Sequence, residues 1–217
     1  MKRYVKFLFL ILVIFLFSGC TNIKDLTIDN IVDTVGDKEN YVINMYRNGY
    51  SYHLPRNMRV QSYTLYNDVI QSGNIKYYLY VDMISHYNKV KSTYKENNTS
   101  FYSKVINNKE TEGYLEINLV KDNKYLIEIM YNYAKIEVMV DSENINESLI
   151  YSLNILKSVI YNDSVIENML KDDVLTYTEE DFNIFNTTSK DSNYLNYDNE
   201  YREVDNSENK YDSDLLN

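Results

Sequence analysis

Three consecutive runs of alternating apolar and polar residues lie in the middle of this 217-residue chain. They begin at Gly113 and end at Val140, and two short turn sequences, Asp122-Asn123 and Asn132-Tyr133, separate them. The apolar positions are Leu115, Ile117 and Leu119, then Tyr125, Ile127, Ile129 and Tyr131, then Ile136, Val138 and Val140. Side chains alternate between the two faces of a strand, so period-2 runs joined by tight turns predict an antiparallel meander with one buried face and one wetter face.

The hydrophobic period changes from 2 to 3.6 directly after the third run. Apolar residues then recur at helical spacing at Ile145, Leu149, Leu153 and Leu156. Three preceding residues are suited to cap this helix: Asp141, Ser142 and Asn144. A second, shorter helix is expected at residues 163–170. An antiparallel sheet followed by helices that pack on it is an α+β fold.

Strand signals also dominate the region before the meander. Aromatic and β-branched residues predict strands at residues 50–54, 58–66 and 75–83, and residues 101–106 are expected to form an edge strand. Pro55 ends the first of these strands, because proline has no N–H to donate to a ladder. Residues 85–98 are polar and are expected to form a helix or loop on the surface.

The N-terminus carries the pattern of a secretory signal peptide. Three basic residues precede an apolar run at residues 7–17, and Ser18, Gly19 and Cys20 follow it. This run has 11 residues, whereas a membrane-spanning helix needs about 20. A basic start, a short apolar centre and small residues at the end are typical of a cleaved signal. The sequence Phe17-Ser18-Gly19-Cys20 resembles the lipobox of bacterial lipoproteins.

The lipobox resemblance implies cleavage between Gly19 and Cys20 and fatty acylation of the Cys20 sulfur, which palmitate labelling would detect. The mature chain would then be held by lipid on the extracytoplasmic face of a bacterial cell membrane. A diacylglycerol supplies two acyl chains, and two chains anchor stably where one holds only marginally. Two alternatives are an uncleaved signal anchor with an incidental cysteine and a short buried N-terminal helix.

Composition divides the chain into four parts. Residues 1–19 form the signal peptide, and residues 20–40 a polar tether with a possible short helix before Gly36. Residues 41–171 form the α+β core domain, and residues 172–217 an acidic, largely disordered tail. The tail holds 13 acidic and three basic residues, so it accounts for the whole net charge of −10. Such a polyanion is repelled by nucleic acid, which is therefore not an expected partner.

The start of the core domain has a second resemblance. Residues 50–58 read Tyr-Ser-Tyr-His-Leu-Pro-Arg-Asn-Met. This segment looks like the opening of PsbP-like domains, which often begin with a short aromatic-alternating strand, a proline and a bulky residue. The resemblance implies an antiparallel sheet flanked by helices, a fold that small bacterial lipoproteins are known to use. It implies no functional residues, because a fold does not define a function.

Residues that could carry catalysis are scarce. The only histidines are His53 and His86, and both are expected to be ordinary surface or partly buried side chains rather than catalytic bases. Glu116 and Glu128 lie on neighbouring predicted strands and are the nearest candidates for a carboxylate pair, although solvent-face positions are expected for them. The sequence therefore predicts no catalytic residues and no cofactor.

Metal binding is not expected either. Structural zinc needs four ligands of the Cys or His type at close spacing, and the chain has one cysteine and two histidines. Acidic and amide residues alternate in the tail at Asn196, Asp198 and Glu200 and again at Asp212 and Asp214. A calcium loop also needs a glycine at its bend and a glutamate at its end, and Tyr201 and Ser207 occupy those places. These acids are therefore expected to be a solvated tail.

Two hypotheses for the function follow. The first is a non-enzymatic, membrane-anchored surface lipoprotein that binds a protein, peptide or envelope component. The alternative is a small-molecule capture lipoprotein associated with a transporter. A deep pocket lined by Tyr77, Tyr80 or Tyr131 would favour the alternative, whereas a filled core would count against it.

Overall fold

The computed structural model describes residues 23, 26–36, 40–90, 94–107, 112–172 and 174–175. The expected signal peptide, Gly19, Cys20 and nearly all of the expected acidic tail lie outside the described residues. The cleavage site, the lipidation of Cys20 and the disorder of the tail therefore stay predictions.

Within these residues the chain forms ten strands, four α-helices and two short 3₁₀ turns. In chain order the elements are α1 (Ile28–Gly36), β1 (Met45–Tyr46), β2 (Tyr50–Tyr52), β3 (Arg59–Tyr63), β4 (Asn67–Ser72), β5 (Ile75–Val81), α2 (Met83–Asn88), β6 (Tyr102–Asn107), β7 (Glu112–Leu119), a 3₁₀ turn (Lys121–Asn123), β8 (Lys124–Tyr131), β9 (Ala134–Asp141), a 3₁₀ turn (Ser142–Asn144), α3 (Ile145–Lys157), β10 (Ile160–Tyr161) and α4 (Asp163–Lys171).

The strands form two antiparallel sheets. The larger has seven strands in the order β3-β4-β5-β9-β8-β7-β6, and the smaller has three in the order β1-β2-β10. The large sheet consists of two meanders joined where β5 pairs with β9, with Tyr77 opposite Val138. The α+β class, the antiparallel meander and the flanking helices are confirmed. The expected edge strand at residues 101–106 is β6, which lies at the edge of the large sheet.

Both predicted turns of the meander are present. Asp122 and Asn123 have φ values of 60° and 57°, and Asn132 and Tyr133 have φ values of 52° and 60°. All four residues adopt the left-handed conformation, which Asn and Asp tolerate better than most residues. Asn132 and Tyr133 form a two-residue hairpin loop, which requires this conformation, whereas Asp122 and Asn123 end a three-residue turn. Tyr131 pairs directly with Ala134 across the second loop. The second turn therefore fixes the register of β8 against β9.

Helix α3 packs on one face of the large sheet, against β8 and β9. Its predicted apolar stripe is confirmed, because Ile145, Leu149, Leu153 and Leu156 are all buried. Asn144 is the N-cap residue of this helix, but its side chain makes no capping hydrogen bond. The predicted second helix is α4, whose N-cap Asn162 accepts a hydrogen bond from the Val165 amide.

Helix α1 packs against α3 and belongs to the core. Ile31, Val32 and Val35 are 1%, 6% and 8% exposed and join the same apolar cluster as the sheet. The expected short helix before Gly36 is thus present, but it packs into the core instead of forming part of a polar tether. The folded body therefore begins close to Cys20 in the sequence.

The structure corrects three further expectations. Strand β4 lies between the two predicted strands at residues 58–66 and 75–83, where the sequence predicted no separate strand. The strand predicted at residues 75–83 ends at Val81, because helix α2 begins at Met83 and runs into the segment where a helix or loop was expected. The second face of the meander is not uniformly wet, since Lys135 and Glu137 are each 2% exposed.

In the described part of the chain, every helix is too short or too polar to cross a bilayer.

Candidate functional site

Three glutamates stand side by side on the face of the large sheet opposite α3. Glu116 on β7 pairs directly with Glu128 on β8, and Glu128 pairs directly with Glu137 on β9. Residues directly opposite in an antiparallel pair have Cβ atoms about 4.5–5.5 Å apart, and like charges at such positions repel. This set, called the glutamate row below, therefore needs specific partners to be stable.

The Glu116 carboxylate receives four hydrogen bonds. The Tyr94 hydroxyl donates to Oε2 at 2.5 Å, and Ser100 Oγ, Asn118 Nδ2 and Asn97 Nδ2 donate to Oε1 at 2.8, 3.0 and 3.1 Å. Burial alone would raise the pKa of this carboxyl, but these hydrogen bonds together lower it. Glu116 is thus held as a carboxylate at neutral pH.

Residues 94–100 pack on the Glu116 end of the row. The Tyr94 ring stacks on the Tyr114 ring with centroids 4.0 Å apart and an interplanar angle of 7°. The Tyr114 hydroxyl donates a hydrogen bond to Glu128 Oε1. Ser103 Oγ of β6 lies 2.7 Å from the Tyr94 hydroxyl and accepts a hydrogen bond from the Asn97 amide. The segment therefore covers the β6–β7 part of this face with aromatic and polar contacts.

Glu128 and Glu137, the other two glutamates of the row, are less accessible to solvent. Lys135 Nζ donates to Glu137 Oε1 at 2.8 Å, and both side chains are 2% exposed. Burial raises the pKa of the Glu128 carboxyl; Lys135 works against this rise, and the negative charge of Glu137 adds to it. Glu128 therefore holds a proton to higher pH than an ordinary glutamate, whereas Glu116 gives up its proton more readily.

The row thus contains two adjacent carboxyls whose pKa values are displaced in opposite directions. Such a pair can keep one protonated and one ionised group side by side, which is the arrangement of an acid and a base. In this structure each group already bonds to side chains of the same sheet face. Glu116 and Glu128 are the two carboxyls that the sequence analysis gave as the nearest candidates for a pair. The expectation that both lie on the solvent face is wrong, because both are partly buried and hydrogen-bonded.

A second polar cluster surrounds Asp68 on β4. Asp68 is fully buried, and Arg47 Nη2 lies 2.8 Å from its Oδ2 while Arg47 Nε lies 3.0 Å from its Oδ1. The hydroxyls of Tyr52 and Tyr50 donate to the same carboxylate. The Arg47 guanidinium also lies 4.3 Å from the centre of the Tyr63 ring. This cluster joins the small sheet to the large one, and sequence reasoning missed it because its members are far apart in the chain.

The two histidines have different environments. His86 Nε2 lies 2.8 Å from Asp163 Oδ1, and the imidazole stacks on the Tyr161 ring with centroids 3.7 Å apart. Burial lowers the pKa of His86, and the Asp163 hydrogen bond only partly offsets this effect. His86 Nδ1 is buried and has no hydrogen-bond partner among the described residues. No serine or threonine hydroxyl in that part of the chain is therefore hydrogen-bonded to this nitrogen. His53 Nδ1 lies 2.7 Å from the carbonyl oxygen of Val42.

The tyrosines that would line a ligand pocket do not share a face. Tyr77 is 1% exposed and its hydroxyl lies 3.0 Å from Ser148 Oγ of α3. Tyr131 is on the same helix-covered face, and Lys157 lies 5.5 Å from its ring centre. Tyr80 lies one position before Val81, which faces the core, so it points to the opposite face. These three residues therefore do not form one binding site.

Within the described ranges, the structure places no three His, Cys, Asp or Glu side chains so that they could hold a metal ion. The alternating acids at residues 196–200 and 212–214 lie outside those ranges.

The chain matches no protein-family model, no curated protein and no solved structure. The likenesses to the lipobox and to PsbP-like domains therefore stay predictions, and the function has to be argued from the chain's own residues.

Proposed function

We propose that the mature chain is a non-enzymatic lipoprotein, acylated on Cys20 and held on the extracytoplasmic face of a bacterial membrane. It binds a protein or peptide component of the envelope with the end of the domain that lies away from the anchor. The observation that carries this proposal is an exposed apolar row on the small sheet. This row lies near the C-terminal end of α3, whereas the chain leads to Cys20 from the N-terminal end of α3.

The N-terminal end of α3 marks the anchored end. Asn146 Nδ2 donates hydrogen bonds to the carbonyl oxygens of Ile23, at 3.0 Å, and Leu26, at 2.8 Å. Ile23 follows Cys20 by three residues in the sequence. A lipid on Cys20 would therefore hold this end of the domain close to the bilayer surface.

Helix α3 leads from the anchored end to the small sheet. It has 13 residues and is about 20 Å long at 1.5 Å per residue. Strand β10 begins three residues after the helix ends and pairs with β2. The small sheet thus lies at the end of α3 away from Asn146.

The small sheet buries one face and exposes the other. Tyr50 and Tyr52 are 2% and 0% exposed on the buried face. Tyr46 and Ile160 each lie opposite Ser51 and form one row across the other face, 71% and 56% exposed. Tyrosine is one of the residue types that most often dominate the binding energy of protein interfaces. We call Tyr46, Ser51 and Ile160 the distal row and assign the partner to it.

The polar clusters support a binding role over a catalytic one. Glu116 accepts hydrogen bonds from four side chains, and Asp68 is fully buried against Arg47. His86 is held between Asp163 and Tyr161. These bonds join one element to another, which is the work of structural networks. The residues of the distal row, by contrast, point outward.

The first test of this function concerns the anchor. Cells that express the chain are labelled with radioactive palmitate, in parallel with cells that express Cys20→Ala. We expect label in the wild-type protein and none in the variant, because Cys20 supplies the only thiol. An unlabelled wild-type protein, or equal label in both, would overturn the lipid anchor.

The second test concerns the distal row. A photo-crosslinking amino acid replaces Tyr46 or Ile160 in the lipidated protein, and the exposed Glu112 on β7 serves as the matched control position. Irradiation of intact cells should give a discrete crosslinked product from the first two positions and none from the third. The same product from all three positions would contradict the assignment. Turnover of an envelope substrate that Glu128→Gln abolishes would overturn the non-enzymatic function.

A further inference from the structure

We propose that the anchored end of the domain docks on the bilayer itself, with Ile23, Phe101 and Leu119 inserted at the boundary between lipid headgroups and acyl chains. This inference rests on the proposed acylation of Cys20. It goes beyond the anchor, because a flexible tether would leave the domain free to rotate, whereas docking fixes which side of the molecule faces outward.

Three large apolar side chains at this end are exposed. Ile23 is 46% exposed, and Phe101 and Leu119 are each 55% exposed. The Phe101 ring packs against Tyr125 with centroids 5.0 Å apart, and Tyr125 pairs directly with Leu119 across β7 and β8. Phe101, Tyr125 and Leu119 therefore form one apolar cluster at the end of the sheet.

Contacts of α1 place this cluster at the same end as the path to Cys20. Phe101 directly precedes Tyr102, whose hydroxyl donates to Asp29 Oδ1 at 2.8 Å in the first turn of α1. Lys104 Nζ of β6 lies 2.8 Å from the same oxygen. The segment just before α1 is bonded to Asn146, through the carbonyl oxygens of Ile23 and Leu26. The starts of α1, α3 and β6 and the end of β7 therefore lie together.

The distance to the lipid is short. Three residues of fully extended chain reach at most about 10 Å, so an acylated Cys20 keeps Ile23 within that distance of the membrane interface. Apolar side chains that lie on a bilayer insert about 5–10 Å into the boundary of headgroups and acyl chains. The anchor thus holds the apolar cluster where insertion removes it from water.

Charges at this end are mixed and do not select anionic lipid. Lys121 stands beside Asp122 in the β7–β8 turn, and Lys124 Nζ lies 2.9 Å from Asp141 Oδ1. Asp29, Asp33 and Glu143 add further acids there, so the cations are not in excess. Insertion of apolar side chains, and not attraction to headgroup charge, therefore drives the contact. Docking should be no stronger on vesicles that contain anionic lipid than on zwitterionic vesicles.

The absence of tryptophan from the sequence allows a direct test. Phe101→Trp, Leu119→Trp and the control Ile160→Trp, on the distal row, are purified in acylated form and reconstituted into phosphatidylcholine vesicles. Lipids brominated in the upper acyl chain quench only fluorophores that reach them. We expect a blue-shifted emission and severalfold stronger quenching for the first two variants than for Ile160→Trp, with no increase in quenching when anionic lipid is added.

The outcomes separate docking from the anchor. Mass spectrometry of each sample reports the acyl chains on Cys20, and a chain without them would overturn the proposed anchor and docking together. An acylated protein in which all three variants are quenched equally would overturn docking alone. Quenching that appears only with anionic lipid would replace apolar insertion by charge attraction. A blue shift that depends on protein concentration, without lipid quenching, would assign the cluster to a second copy of the chain instead.

Discussion

At the scale of single residues, the glutamate row shows how a sheet accommodates adjacent like charges. Four donors hold Glu116 as an anion, Lys135 neutralises Glu137, and Glu128 between them has a raised pKa. A protonated Glu128 removes one negative charge from the middle of the row. The row is therefore most stable when its central member keeps its proton.

Replacement of Glu128 by glutamine tests this protonation. The pKa of Glu128 in the folded state lies above its ordinary value of 4.5, so the folded chain binds more protons than the unfolded chain at pH values just above 4.5. The contribution of this group to the stability of the folded state therefore falls as the pH rises through the raised pKa. Glu128→Gln carries no proton to lose, so its unfolding free energy should rise relative to wild type across that range.

The measurement is urea unfolding of both proteins from pH 4 to pH 9. Each unit by which the pKa is raised corresponds to about 1.4 kcal/mol of relative stabilisation at high pH. Glu112→Gln, at an exposed position of the neighbouring strand β7, is the control. A constant difference between Glu128→Gln and wild type at every pH would contradict the prediction.

The glutamate row also shows what the sequence could and could not reveal. The two-residue turn at Asn132-Tyr133 fixes the register, and this register alone places Glu128 opposite Glu137. The partial burial of Glu116 could not be read in the same way. It depends on residues 94–100, which lie on the sheet face through contacts between Tyr94, Tyr114 and Glu116 that no local pattern predicts.

At the scale of elements, the Asp68 cluster joins the two sheets. Arg47, directly after β1, and Tyr50 and Tyr52 of β2 converge on a carboxylate of β4. This placement also explains why β4 was missed by sequence reasoning. Asp68 lies at a core-facing position of β4, and a polar residue type at such a position hides the strand pattern in the sequence.

Removal of Arg47 should strongly destabilise the fold. Arg47→Ala leaves the fully buried Asp68 without its cation, and loss of one partner of a buried ion pair costs about 3–5 kcal/mol. The control is Arg59→Ala on β3, an exposed residue whose guanidinium bonds to the Gln71 side chain. That change should alter the unfolding free energy by less than about 0.5 kcal/mol. Equal losses in the two variants, measured by urea unfolding, would argue against the role of Asp68.

At the scale of the whole molecule, α1 and α3 hold the N-terminal segment to the body. The apolar period of α1 was visible in the sequence, but its contact with α3 was not, because periodicity identifies an apolar face without its partner. The short connection to Cys20 follows from this contact. If Cys20 is acylated as proposed, the orientation of the domain on the membrane would depend on the hydrogen bonds of Asn146.

Asn146→Ala should loosen that connection. Two hydrogen bonds to the carbonyl oxygens of Ile23 and Leu26 are lost, at a cost of about 1–2 kcal/mol. We expect faster hydrogen exchange at the amides of Leu26 and Ile31, together with weaker lipid quenching of Phe101→Trp. Asn154→Ala is the control, because the Asn154 amide bonds within α3 to the Ile150 carbonyl oxygen. Unchanged exchange at both amides in Asn146→Ala would contradict this prediction.

The shortness of β10 has a mechanical consequence. A partner gripped at Ile160 and a lipid embedded in the bilayer would pull on opposite ends of the body. Strand β10 pairs with β2 through two residues, Ile160 and Tyr161, whereas β8 pairs with β9 from Lys124 to Tyr131. Under tension the small sheet would peel apart first and let the partner go while the large sheet stayed intact. Force on the partner would then unfold the small sheet, at the end away from the lipid, before it unfolds the large sheet.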